Sequence, residues 1–209
     1  MDTPGLRPLT CVTQAGVLTI AGLVASLHAL KPELNPVRVY MSLYAVGRLG
    51  WMMTTALLAL AAGATALVVT LARAWVAPRS RAGLAFLAVY ALGVLAIGIF
   101  PTDGLDVVTP TRSDAIHAVG AQSLFIALTL AITAFTPRLR VTPGWSDLFV
   151  PSVVIGTVAW ATLLFLPFAG GFGVQGLVQR TFTAFTLTWL FLVAGRVRSL
   201  DRAGAPVPR

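Results

Sequence analysis

Leu49-Gly50-Trp51-Met52-Met53-Thr54-Thr55-Ala56-Leu57-Leu58-Ala59-Leu60-Ala61-Ala62-Gly63-Ala64-Thr65-Ala66-Leu67-Val68-Val69-Thr70-Leu71-Ala72 is a run of 24 residues without a charge, bounded by Arg48 and Arg73. About 20 apolar residues in a helix cover a hydrocarbon core of ~30 Å, so this stretch is long enough to cross a bilayer. A membrane barrel would alternate apolar and polar residues over segments of about ten, and Ala56 to Ala72 shows no such alternation. Backbone groups facing lipid must find their partners inside the segment. The run therefore reads as a membrane helix.

The same pattern repeats on both sides of it. Uncharged runs of 23, 21, 23, 32 and 15 residues separate Arg7 from Lys31, Arg81 from Asp103, Asp114 from Arg138, Asp147 from Arg180, and Arg180 from Arg196. With 57% hydrophobic and 11% charged residues, the chain has the composition of a polytopic membrane protein and not of a soluble domain. The expectation is an all-α bundle of six transmembrane helices joined by short loops, forming one domain over 1–209. The spans are expected near 12–30, 44–71, 84–100, 115–135, 148–166 and 177–195, with a disordered cytoplasmic tail over 199–209. Met1 to Thr10 lacks the cationic start and small-residue cleavage site of a signal peptide, so the first span is expected to be retained.

The net charge of +8 calls for an explanation, and nucleic acid is not the one the pattern favours. Ten of the 15 Lys and Arg residues fall on one side: Arg7, Arg73, Arg79, Arg81, Arg138, Arg140, Arg196, Arg198, Arg202 and Arg209. Lys31, Arg38, Arg48, Arg112 and Arg180 fall on the other, with Glu33, Asp103, Asp106 and Asp114. Positive loops stay in the cytoplasm. Both termini are thus expected there, in a multi-pass protein of the plasma or inner membrane whose first partner is the lipid bilayer. Cys11, the one cysteine, excludes an internal disulfide and makes no metal site alone.

Residues with chemical character gather at the outer ends of the spans. If the second helix begins early, Tyr40, Tyr44 and Arg48 share one of its faces at i, i+4 and i+8. A charge within hydrocarbon is costly and turns inward or reaches back to the interface, so Arg48 reads either as an anion-binding group or as a structural cation, paired for instance with Asp103. Only 15 residues part Arg180 from Arg196, about 22 Å at a ~1.5 Å rise, short of the hydrocarbon thickness, so one of the two lies within the membrane zone or snorkels. Arg196 can snorkel, and Arg180, beside Gln175 and Gln179, is the better interior candidate.

His28 and His117 stand at similar depth. Two facing histidines can ligate haem iron, and with Asp103 or Asp114 a divalent metal, or they can simply hydrogen-bond. No second histidine pair or metal-binding motif supports a metal, so none is assigned. Haem or metal at His28 and His117 stays an open cofactor alternative.

Pro32, Pro101 and Pro167 are spaced 69 and 66 apart, each followed by a cationic or titratable residue: Arg48, His117 and Arg180. This is either a repeated hairpin or the regularity that bilayer thickness imposes on six spans. Gly170, Gly171, Gly173 and Gly176 form an outer turn that reads as a loop, with a lid as the sharper alternative.

Several stretches together resemble a membrane family known as domain of unknown function 998. They are His28-Ala29-Leu30-Lys31-Pro32, Asn35-Pro36-Val37, Tyr40-Met41-Ser42, Tyr44-Ala45-Val46-Gly47, Gly50-Trp51-Met52, Gly98-Ile99-Phe100-Pro101-Thr102-Asp103, His117-Ala118-Val119-Gly120 and Gly176-Leu177-Val178-Gln179-Arg180. The resemblance runs from His28 to Arg180 and implies a six-helix integral membrane protein without implying a reaction.

The expected site is a polar pocket toward the outer leaflet, lined by His28, Tyr40, Tyr44, Arg48, Asp103, His117, Gln179 and Arg180. It would bind or handle a lipid or other amphiphile. The alternatives are a membrane enzyme or redox protein using His28 and His117, and a structural or assembly subunit. No oligomeric state follows from the sequence.

Overall fold

The computed structural model describes residues 6–74 and 77–203. Among them, six helices are long and apolar enough to cross a membrane, as the run lengths require. They are α1 (Leu6–Leu30), α2 (Gly50–Arg73), α3 (Arg81–Ile99), α4 (Arg112–Val141), α5 (Phe149–Ala169) and α6 (Gln175–Arg202). No strand occurs among the described residues. The chain is an all-α, multi-pass membrane protein.

Each helix packs against its neighbours in sequence, and α6 returns to α1, so the six form a closed ring. The start of α1 and the end of α6 lie together, tied by an Arg7–Asp201 ion pair of 3.3 Å. The α2–α3 and α4–α5 connections share this terminal face, and the other three connections form the opposite face.

Small residues set the closest approach, the usual means of bringing membrane helices together. At Gly16 of α1 an added Cβ would lie 2.4 Å from the Ala59 carbonyl oxygen of α2. One turn earlier, Thr13 donates its hydroxyl to the Gly63 carbonyl at 2.9 Å. On the far side of the ring, Trp189 of α6 donates to the Ser152 hydroxyl of α5 at 3.0 Å in a buried contact. The half toward the terminal face is filled by Leu67, Leu87, Leu128, Ile132, Phe135 and Leu190, each at most 1% exposed.

Helix starts follow local capping chemistry. Ser80 accepts from Gly83 N at 3.0 Å to open α3, and Thr111 accepts from Asp114 N at 3.2 Å to open α4. Such side-chain oxygens satisfy amide groups that a first turn leaves without partners.

Several features differ from the sequence reading. The second helix begins at Gly50, not near Tyr44: Met41–Ala45 is a 3₁₀ turn, and the chain then bends through Gly47 at φ +79°, where glycine is favoured. Tyr40, Tyr44 and Arg48 therefore do not share a helix face. Helix α6 continues through Ser199 to Arg202, in part of the segment expected to be disordered; residues 204–209 lie outside the described residues. The three prolines are not equivalent either. Pro32 and Pro101 follow helices that have ended, while Pro167 lies inside α5, which weakens the repeat reading.

Candidate functional site

A chamber of about 900 Å³ occupies the half of the ring toward the opposite face. Its wall is apolar: Leu57 and Leu60 from α2, Val94 from α3, Leu124 from α4, and Phe182 and Leu187 from α6. Polar groups collect where the helices meet the opposite face, namely Tyr40, Ser42, Thr102, Asp114, His117 and Gln179. Mostly apolar walls with a few convergent polar groups are the usual make-up of a small-molecule site.

The mouth lies between α4 and α5. Ile126 of α4 and Trp160 and Leu164 of α5 line the chamber yet are 48%, 36% and 65% exposed. Side chains that face both the chamber and the surroundings mark an opening on the side that would meet acyl chains. Toward the terminal face the seam is closed by Trp160 Nε1, which donates to Thr133 Oγ1 at 3.0 Å.

His117 is buried on the first turns of α4. Its Nδ1–H donates to the Phe100 carbonyl at 2.8 Å, fixing the ring on the end of α3. Its Nε2 makes no hydrogen bond to a described residue, and the ring lines the chamber. Nearby, Asp114 accepts from the Thr102 hydroxyl at 2.7 Å and from Asp103 N at 3.0 Å. Asp103 in turn accepts from the Thr111 amide at 2.6 Å and hydroxyl at 2.8 Å. The two carboxylates brace the α3–α4 connection from both ends.

A second polar cluster packs beside the chamber, between α1, the 3₁₀ turn and α6. Arg180 donates from Nε to His28 Nε2 at 2.9 Å, and from Nη1 to the carbonyls of Val39 at 2.8 Å and Gly176 at 3.1 Å. Its guanidinium carbon stands 5.5 Å from the centre of the Tyr44 ring, within cation–π range. His28 donates its Nδ1–H to the Val24 carbonyl at 2.7 Å and meets the Tyr44 ring edge-on at 5.3 Å. Lys31 donates Nζ to the Tyr44 carbonyl at 3.4 Å and to that of Val46.

No carboxylate neutralises Arg180 among the described residues; carbonyls, an imidazole and a ring face surround it instead. Arg180 Nη2, the Tyr44 hydroxyl and Gln175 Oε1 are buried with no hydrogen-bond partner among the described residues. Gly176 makes this docking possible: a Cβ there would lie 2.3 Å from the Val39 carbonyl oxygen and 2.5 Å from that of Pro36. Leu177 N also donates to the Val37 carbonyl at 3.0 Å. The segment after α1 thus lies directly on the start of α6.

The eight residues expected in one pocket therefore divide. Tyr40, His117 and Gln179 line the chamber, and Gln179 also accepts from Met41 N at 2.7 Å. His28, Tyr44 and Arg180 form the adjoining cluster without lining it. Arg48, just past the bend, is exposed and belongs to neither, because the helix that would have turned it inward has not yet begun. Asp103 is a loop brace. A shared haem or metal at His28 and His117 is disfavoured by geometry, since both nitrogens of His28 are already engaged. Among the described residues no group of three His, Cys, Asp or Glu side chains is placed to hold a metal ion.

Sequence reading missed Lys31, Ser42, Thr102 and Gln122. Gln122 carried a usable signal, as an uncharged polar residue in an otherwise apolar stretch of α4. The others sit in irregular segments whose course periodicity does not reveal.

No curated protein and no solved structure matches the sequence. The family described as protein of unknown function (DUF998) matches residues 14–196. Covering all but the ends of the chain, that match reaches every residue of the chamber and of the cluster beside it, and the chain belongs to this family.

Proposed function

We propose that the chamber binds a lipid or other amphiphile, its chain along the apolar wall and its polar end at the rim formed by Tyr40, Ser42, His117 and Gln179. The observation that carries this reading is the combination of an apolar chamber, a polar end and a mouth between α4 and α5. A water-soluble ligand would have little use for a side entrance, whereas an amphiphile already in the membrane would find the mouth at its own depth. The Arg180 cluster has a positioning role. By holding residues 36–44 against α6, it places Tyr40 and Ser42 at the rim.

The arginine distribution supports placing the terminal face in the cytoplasm, since nine of the 14 described Lys and Arg residues lie on that side. The chamber then belongs to the outer half of the cell membrane. Native mass spectrometry of protein extracted from its membrane tests the binding reading. A co-purifying amphiphile is expected, and it is expected to be lost in Ala121→Phe, which narrows the chamber beside its mouth. Retention of the same amphiphile by the folded variant would sink the proposal.

A second reading rests on His117, whose ring is held by one nitrogen while the other makes no hydrogen bond to a described residue. In it, His117 Nε2 accepts a hydrogen bond from a hydroxyl or amine of the amphiphile and so selects ligands that carry one. His117→Phe is expected to abolish that preference in native mass spectrometry while the bundle stays folded; an unchanged preference excludes it.

A further inference from the structure

A second concavity, of about 720 Å³, lies at the terminal face and shares no lining residue with the chamber. Arg73 comes to it from the last turn of α2, Arg79 from the α2–α3 connection, Arg81 from the first residue of α3 and Arg138 from α4. Leu71, Ala74 and Leu84 supply an apolar floor, and none of the described lining residues is acidic.

All four arginines are exposed, and together they make this depression a concentration of positive charge. Topology alone requires positive charge on one side of the membrane; it does not require that four cations from three helices and a connection meet at one groove. The described acids of this face are engaged elsewhere: Asp147 pairs with Arg196, and Asp201 with Arg7. Arg73, Arg81 and Arg138 make no ion pair or side-chain hydrogen bond with a described residue. The start of α3 adds the positive end of a helix dipole, which favours an anion. Planar guanidinium forks match phosphate oxygens in pairs, and the apolar floor suits the first carbons of an acyl chain.

We propose that this groove binds a phosphate-bearing group, carried either by an anionic phospholipid of the adjacent leaflet or by a water-soluble phosphate ester. The full chain, purified in neutral detergent, is titrated with phosphatidylglycerol, with phosphatidylcholine and with glycerol 3-phosphate, and bound species are counted by native mass spectrometry. Phosphatidylglycerol is expected to bind about tenfold or more tighter than phosphatidylcholine, a difference of about 1.4 kcal/mol. Arg81→Gln/Arg138→Gln is expected to remove that preference, while the charge-matched Arg140→Gln/Arg202→Gln keeps it. Competition by glycerol 3-phosphate identifies the soluble source; binding of the lipid without such competition identifies the leaflet.

Equal binding of the two lipids by the wild-type protein together with no binding of glycerol 3-phosphate overturns the proposal. So does an equal loss in both double variants, which would mean diffuse charge attraction. Should the groove variant not fold, hydrogen–deuterium exchange on the wild-type protein decides. Whichever phosphate compound binds must protect residues 71–74 and 79–84, and protection elsewhere or nowhere overturns the assignment.

Discussion

Arg180 donates its Nε–H to Nε2 of His28 over 2.9 Å, joining the start of α6 to the end of α1 across 152 positions of sequence. Because His28 also donates Nδ1–H to Val24, the imidazole is held as one neutral tautomer, with its proton on Nδ1. Nitrogen NMR of the labelled protein is expected to show that tautomer at His28, with its Nε2 resonance shifted in Arg180→Gln, which alters the hydrogen bond to that nitrogen. The variant also leaves the Val39 carbonyl without its cationic donor. A loss of about 1.5–3 kcal/mol is expected, the range for hydrogen bonds to charged groups, read as a lowered thermal midpoint in detergent.

Gly176→Ala is expected to disturb the same docking by a steric route. The added methyl would stand 2.3 Å and 2.5 Å from two carbonyl oxygens of the segment after α1, and backbone gives way less readily than a side chain. Overpacking of this kind costs about 1–3 kcal/mol. Gly171→Ala is the control, since nothing lies within 4 Å of its added carbon. Thermal unfolding of the two variants side by side should separate them.

Gln179→Leu probes the rim. It removes the acceptor of the Met41 amide and is expected to cost about 1–3 kcal/mol, the usual penalty for a partly buried donor left unmet. Native mass spectrometry of the same preparation is expected to show less retained amphiphile, whereas Arg48→Gln, altering an exposed residue, should leave retention unchanged.

Trp160→Phe removes an indole hydrogen bond that closes the α4–α5 seam below the mouth. The loss of stability should be small, about 0.5–1.5 kcal/mol for a single neutral bond. The larger expected effect is kinetic: a bound amphiphile should exchange faster with added lipid, followed by the decay of a labelled ligand.

Asp114→Ala is expected to free the α3–α4 connection, which would lose bonds from the Thr102 hydroxyl and the Asp103 amide together. Limited proteolysis should then cut between 102 and 111 sooner than in the wild-type protein, with the six helices otherwise intact.

The helices were legible because lipid leaves a chain few ways to satisfy its backbone, and uninterrupted runs such as Leu49–Ala72 announce the solution. Inward placement of Arg180 was legible too, from the short distance to Arg196. The path between α1 and α2 was not. Tyr40, Tyr44 and Arg48 carry helical spacing, but Gly47 takes a positive φ and ends that register before Arg48, and spacing alone does not reveal a bend. Nor does a sequence say that His28 will meet Arg180 and not His117. Such pairings depend on the ring order of the helices, which is set by close contacts like that of Gly16 with Ala59.

Helix α5 has the smallest share of its span buried against the rest of the bundle, 17%, and it supplies one side of the mouth. The annular lipid that surrounds it therefore acts as part of its scaffolding. Harsh short-chain surfactants, which strip that layer, should unseat α5 before any other helix and drain the chamber in the process. Gentle solubilisation is thus a structural requirement of this bundle, and an empty preparation after rough handling would describe the surfactant more than the protein.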